Sequence, residues 1–292
     1  MIVYNSRKWL GIFRFLAKSD TIRRLSPYLI SIFLFSILVA YLETEVWNLS
    51  KSSWVANVPI VHSILAFVLS LILVFRTNTA YDRWWEGRKL WGTLTNISRN
   101  LAIKIAVLLP DNDEDNRKFF REAIPLYAET LRHHLQLEQT RFALDENPHP
   151  EFENLSNQLH GPNQVAKLIV ARIYNLHKNG IINGEELLSL NAEMTEFTNI
   201  CGACERIKNT PIPYSYNTFI KRFIIFYTIS LPFGYVFQLG YYVAPIVTFV
   251  LYVIASLELI AEDIEDPFGF DDYDLPMDKM AKNIQVKVAE II

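Results

Sequence analysis

Between Phe223 and Leu257 the chain runs for 35 residues without a charged side chain. A helix rises about 1.5 Å per residue, so roughly 20 apolar residues cross the hydrocarbon of a bilayer. The run is too long for one crossing and suits two short ones joined by a tight turn. Gln238, Leu239 and Gly240 supply the break, and Pro245 fits the first turn of the helix after it. Two uncharged runs lie upstream: Tyr28 to Leu42, 15 residues, and Val58 to Phe75, 18 residues with His62 as the one weakly ionisable member. Trp47 and Trp54 fall where an interfacial aromatic belt belongs. Four spans are expected.

Composition agrees. The 292 residues are 51% apolar and 20% charged, whereas soluble chains carry about 25% charge. This excludes a disordered chain, a disulfide scaffold and a simple cytosolic enzyme. A net charge of −3 leaves no basic excess for a nucleic-acid partner. Lysine and arginine set the orientation. Residues 1–26 hold six, 43–57 only Lys51, 76–222 hold 18, the turn between the last two spans none, and the tail after 262 three. Both termini and the middle segment are expected to face the cytoplasm, in the cell (inner) membrane.

The expected divisions are a cytoplasmic amphipathic segment over 1–26, two spans within 27–75, a helical cytoplasmic region over 76–222, two spans within 223–262, and an acidic loop and tail over 263–292. The first segment does not read as a cleaved signal. Trp9, Leu10, Phe13 and Leu16 recur at helical spacing beside Lys8, Arg14 and Lys18. Such a helix lies on the inner membrane surface or packs on the cytoplasmic region. In the middle region Phe119, Ala123, Leu126, Tyr127 and Leu131 keep a three-and-four rhythm, as do Val165, Leu168, Ile169, Arg172 and Ile173. Asp145 to Pro150 and His160 to Asn163 carry loop signals. The fold class is an all-α membrane protein.

Four local patterns carry candidate chemistry. In the second span Ser63, Phe67, Leu71 and Phe75 recur every four residues on one stripe. Facing the axis of an oligomer, that stripe makes stacked apolar rings that gate ions by dewetting. Facing lipid or another helix, it is packing. The dense Arg and Trp from Arg76 to Gly92 read as an interfacial anchor. After the fourth span Glu258, Glu262, Asp263, Glu265, Asp266, Asp271, Asp272 and Asp274 crowd around Pro267 and Gly269, which stop the helix. Carboxylates in a turn suit calcium, or magnesium on a diphosphate lipid, or simply a solvated cap. The diphosphate chemistry needs a second acidic motif, which the sequence lacks. Cys201-Gly-Ala-Cys204 has CxxC spacing without two further zinc ligands nearby, and reads as two buried thiols on a helix. His133-His134 reads as a surface or packing pair. No catalytic motif is present.

Together, Phe75-Arg76-x-Asn78-x-x-Tyr81-x-Arg83-Trp84-Trp85-Glu86-x-Arg88-Lys89-x-Trp91-Gly92, Ile212-Pro213 after the Cys201-Gly202 pair, and Ala261-Glu262 followed by Pro267-Phe268-Gly269-x-Asp271-Asp272 resemble the bestrophin family, above all its bacterial members. The resemblance covers nearly the whole chain in order. It implies a homopentameric channel in the lipid bilayer that passes small monovalent ions, chloride in animal members and cations in bacterial ones. It implies a pore neck at Phe67, Leu71 and Phe75. It also implies a cytoplasmic aperture at Glu185, with Ile182 or Leu187 if the register slips. A calcium clasp of animal members corresponds to Asp263, Asp266, Asp271 and Asp274, though bacterial members are generally not calcium-gated and no cofactor is expected to be required. The competing readings are a metal-dependent enzyme acting on a diphosphate lipid through the acidic loop, and a membrane scaffold.

Overall fold

The computed structural model describes residues 20–47, 57–136, 159–271 and 273–292. The amphipathic pattern around Trp9, the belt residue Trp54, the loop signal at Asp145 to Pro150, and Asp272 lie outside them. All regular structure among the described residues is helical. In chain order the helices are α1 (Asp20–Tyr41), α2 (Val58–Leu108), α3 (Glu114–Leu135), α4 (Gly161–Lys178), α5 (Gly184–Asn209), α6 (Tyr214–Leu239), α7 (Val243–Glu265) and α8 (Met277–Ile291). A wider, π-type turn over Leu42–Val46 extends α1. The chain divides into two compact units: the described part of Ile2–Asp82 with Ile212–Glu265, and Arg83–Pro211 with Asp266–Ile292.

The first unit is built from α1, the start of α2, α6 and α7. Among the described residues three segments are long and apolar enough to cross a membrane: Thr21–Val46, Val58–Leu108 and Tyr214–Glu265. The last is broken where the sequence places the break. Gly240 takes φ 55° and ψ −139°, a backbone that a side chain resists, and one tight turn over Gly240–Tyr242 leads into α7 with Pro245 in its first turn. The helix before it starts at Tyr214, earlier than the expected 223, because the apolar run defines the span and Pro213 defines the helix start. The boundary expected at 75/76 also falls inside a helix. Nothing in the backbone ladder registers a change from apolar to charged side chains, so α2 continues for 51 residues, about 76 Å.

Between apolar helices in lipid the hydrophobic effect supplies little attraction, so close approach and buried polar pairs matter more. Ile32, Val39, Leu69, Leu73, Leu231 and Val247 are among the residues that form the core of this unit. Three hydroxyls of this unit are satisfied within their own helices: buried Ser36 Oγ donates to Ile32 O, half-buried Thr77 Oγ1 to Leu73 O and buried Thr228 Oγ1 to Ile224 O, each near 2.8 Å. Ser230 donates its proton to Tyr227 O at 2.9 Å, so at 2.8 Å it accepts from the Nε2–H of buried His62. At Gly234 the helices touch, since a Cβ there would stand 2.6 Å from Cδ of Pro59.

The second unit is built around its own helical hydrophobic core. α3 is its centre, buried along both rhythms, with Phe119, Ala123, Leu126, Tyr127 and Leu131 all inside. Val165, Ile169 and Ile173 of α4 join them, while Arg172 lies 5.1 Å over the Phe119 ring and donates to Asn116 Oδ1 at 2.6 Å. Helix starts follow ordinary capping chemistry. Asp113 caps α3, the His160 ring caps α4, and Asn183 with Glu186 forms a reciprocal capping box on α5.

Gly234→Ala is expected to lower the thermal unfolding temperature of the detergent-solubilised protein, because overpacking against a proline ring costs about 1–3 kcal/mol. Gly202→Ala, on an exposed helix face with nothing within 4 Å, is expected to hold or raise it. Equal behaviour of the two variants would refute the close packing at Gly234.

Candidate functional site

The span of α2 has two faces. Leu69, Leu73, Arg76 and Ala80 are buried within the unit, at steps of four, three and four. At about 100° per residue, Phe67 and Leu71 each lie some 200° from Leu69 and Leu73, on the opposite side. There Phe67 is 64% exposed, Leu71 43% and Phe75 64%, and Ile60 and Ile64 continue the stripe. Three large apolar side chains thus project outward one turn apart.

Arg76, one residue past Phe75, turns the other way and is fully buried. Its Nη2 donates to Glu265 Oε2 at 2.7 Å, and its Nε lies 3.6 Å from Glu258 Oε1. The second oxygen of Glu265 accepts the Ile212 backbone N–H at 2.7 Å, which ties the start of α6 to the end of α7. Sequence reasoning passed over this cluster and treated the residues as parts of two separate charge runs. The signal was available: a buried cation at the end of an apolar run must find carboxylates.

The Arg-Trp-Trp block makes specific contacts within the second unit. Arg83 donates to Thr210 O and Ile207 O, both at 2.6 Å, and so caps the C-terminal end of α5. Trp84 Nε1 donates to Tyr273 O at 3.1 Å, and Trp91 is fully buried in the core of the second unit. Gly87 leaves room for Pro267 and Phe268, whose nearest atoms would meet a Cβ at 3.2 and 3.1 Å. The block is a fastener, because guanidinium and indole donors can satisfy carbonyls left open at a helix end and a loop.

Comparison with known proteins fits these features. A family profile described as "Bacterial/Fungal Bestrophin protein" matches residues 1–290. The chain belongs to the bestrophin family. It is 33% identical to a voltage-dependent anion channel-forming protein of Synechocystis, over 81% of this chain and 78% of that one. With the voltage-dependent anion channel-forming protein YneE of Escherichia coli K12 it shares 29% identity, covering all of this chain and 94% of the relative. A crystal structure of a bacterial bestrophin homologue from Klebsiella pneumoniae matches with a TM-score of 0.79 at 25% identity, over 92% of this chain and 98% of that one. The all-helical membrane fold of this bestrophin is therefore shared with its relatives.

The remaining expected site residues separate. Glu185 is exposed on the first turn of α5, directly after the Asn183 cap. The neighbouring register positions are taken up by the fold: Ile182 is buried, and Leu187 packs against the core. Leu188, three residues along the same helix, is 71% exposed, an apolar residue that sequence reasoning did not single out. Asp263, expected at the start of the acidic loop, is still within α7 and pairs with Arg24 at 3.0 Å. Asp266 Oδ1 accepts the Phe268 N–H at 3.2 Å, and buried Asp274 accepts the Asp271 N–H at 2.6 Å. Asp266 and Asp274 thus brace the loop, and among the described residues no three acidic side chains of the loop gather as one set of donors. Cys201 and Cys204 are free and buried on α5. Burial, aided by the Glu205 charge and opposed by a Tyr127 hydrogen bond, pushes the Cys201 thiol up to about 12, and burial raises Cys204 further. Both stay protonated at neutral pH, as structural thiols do.

Arg76→Ala is expected to destabilise the solubilised protein by about 3–5 kcal/mol, because it strands two buried carboxylates. Glu262→Gln, which removes an exposed partner of Lys221, is expected to cost less than about 1 kcal/mol. Chemical or thermal unfolding of the two variants checks the order, and a stable Arg76→Ala protein would refute it.

Proposed function

We propose that the protein is an ion channel in which several copies, five in our reading, surround one central pore, with the outward stripe of α2 as its neck. The observation that carries this is the exposure of Phe67, Leu71 and Phe75 on the face opposite the buried one. The apolar window of α2 is only 17% buried within the chain, against 28% for each of the other two spanning segments. A helix so poorly covered by its own chain suits a place among neighbouring subunits, and a closed ring of identical interfaces provides one. Successive rings of Phe67, Leu71 and Phe75 then form a narrow apolar passage that ions cross when it is wet. The names of the Synechocystis and Escherichia coli relatives support channel formation and point to anions.

In this reading the last segment crosses twice, which makes four spans. The lysine and arginine distribution places both termini and the helical region between α2 and α6 in the cytoplasm, with the channel in the cell membrane. No cofactor enters. The loop carboxylates that brace Asp271 and Phe268 also weaken the case for a lipid-diphosphate enzyme. Glu185 forms the cytoplasmic aperture, where a ring of carboxylates attracts cations and opposes anions, with Leu188 beside it.

Leu71→Ala with Phe75→Ala is expected to raise single-channel conductance in planar bilayers several-fold by widening the neck. Unchanged currents, or a native mass that does not correspond to five chains, would overturn the assignment. In asymmetric salt, Glu185→Gln is expected to move the reversal potential toward the anion equilibrium potential. An unmoved potential would take Glu185 out of the permeation path.

A further inference from the structure

Among the described residues one cluster holds three metal-type donors, and the channel reading makes no use of it. His134 Nε2 lies 2.7 Å and His160 Nε2 2.6 Å from the same oxygen of Glu205, and the two imidazole centroids are 4.2 Å apart. All donor atoms fall within 4.8 Å of one another. His134 ends α3, His160 caps α4 and Glu205 sits near the end of α5, so three separate helices deliver one ligand each. We propose that His134, His160 and Glu205 bind a zinc ion, with water completing its coordination.

The chemistry of the donors favours this. Two imidazoles and one carboxylate are the protein ligands of open zinc sites, at about 2.0–2.2 Å from the metal. Ligands at that distance in tetrahedral geometry stand about 3.3 Å apart, so each histidine retreats from Glu205 by only some 0.6 Å. Each of the three side chains is about 30% exposed, which leaves a path for the ion. One carboxylate oxygen of Glu205 already faces both rings, so the oxygen donor is in place.

Proton bookkeeping is simple. In the metal-free form His160 Nδ1 accepts the Asn163 N–H at 3.2 Å, so the ring proton is on Nε2 and points at Glu205. On binding, that proton moves to Nδ1 through solvent, Nε2 turns its lone pair to zinc, and the exposed Asn163 N–H passes to water. The nearby thiols of Cys201 and Cys204 are buried and are not among the converging donors. Zinc at this point joins the end of α3, the start of α4 and the last turns of α5.

The test uses the full-length, tag-free protein in detergent, titrated with zinc chloride alone and, in parallel, with cobalt(II). Expected are one zinc per chain, a rise in unfolding temperature with zinc concentration, and cobalt d–d bands without a near-ultraviolet thiolate charge-transfer band. His160→Asn keeps a helix-capping side chain while removing the ligand, and Glu205→Gln keeps a hydrogen-bond acceptor. Each is expected to weaken binding more than about 100-fold, beyond the loss typical of an outer-shell residue. His133→Gln is expected to leave binding intact. Wild-type protein without stoichiometric zinc overturns the proposal. So does binding that survives both ligand variants, or a thiolate band that assigns the metal to the cysteines. Channel currents are not part of the readout, so the outcome is independent of the pore reading.

Discussion

Lipid removes the force that holds most protein cores together. Hydrocarbon chains are as apolar as leucine, so a helix loses little by facing them, and cohesion must come from contact and from polar groups with nowhere else to go. Both devices are present in the first unit. Gly234 lets α6 touch Pro59, and Arg76 is enclosed with Glu258 and Glu265. Such an ion pair adds modest stability beyond a hydrophobic substitute but strongly penalises any arrangement that separates its members. It selects the packing of α2 against α6 and α7 more than it strengthens it. The buried side of α2 is fixed by that selection, and the outward stripe follows from it by helical geometry alone.

The second unit obeys the other regime. Its core residues on α3, α4, α5 and α8 are held by water exclusion, and its helix ends are finished with side-chain caps. The Arg83-Trp84 block serves this unit by supplying donors to carbonyls at Ile207, Thr210 and Tyr273. The task of this short motif is therefore architectural: it closes a helix and fixes a loop.

Much of this was legible in the sequence because hydrocarbon excludes charge and glycine marks forced turns. The uncharged runs located the spanning helices, Gly240 located the break, and the three-and-four rhythms of Phe119 and Val165 located core faces. The stripe of Phe67, Leu71 and Phe75 was legible as a stripe, since spacing fixes which side chains share a face. What spacing cannot convey is the partner across the fold. Arg76 meets carboxylates on α7, and His134, His160 and Glu205 meet only once three helices are packed. The protein contacts of the Arg-Trp-Trp block stayed hidden for the same reason, because amphipathic residues at a helix's polar transition serve a membrane surface and a protein groove equally well. The 75/76 and 223 boundaries do not coincide with helix ends, because hydropathy marks the edge of a solvent, whereas helices end at prolines and caps.

The continuity of α2 has a geometric corollary. From Ile60 to Leu108 it contains no proline, and its amide ladder is unbroken through the change from apolar to charged sequence. In so regular a ladder each residue turns about 100° from the last, so a single residue inserted just ahead of Arg76 would rotate the Phe67, Leu71 and Phe75 stripe by that angle relative to the buried arginine.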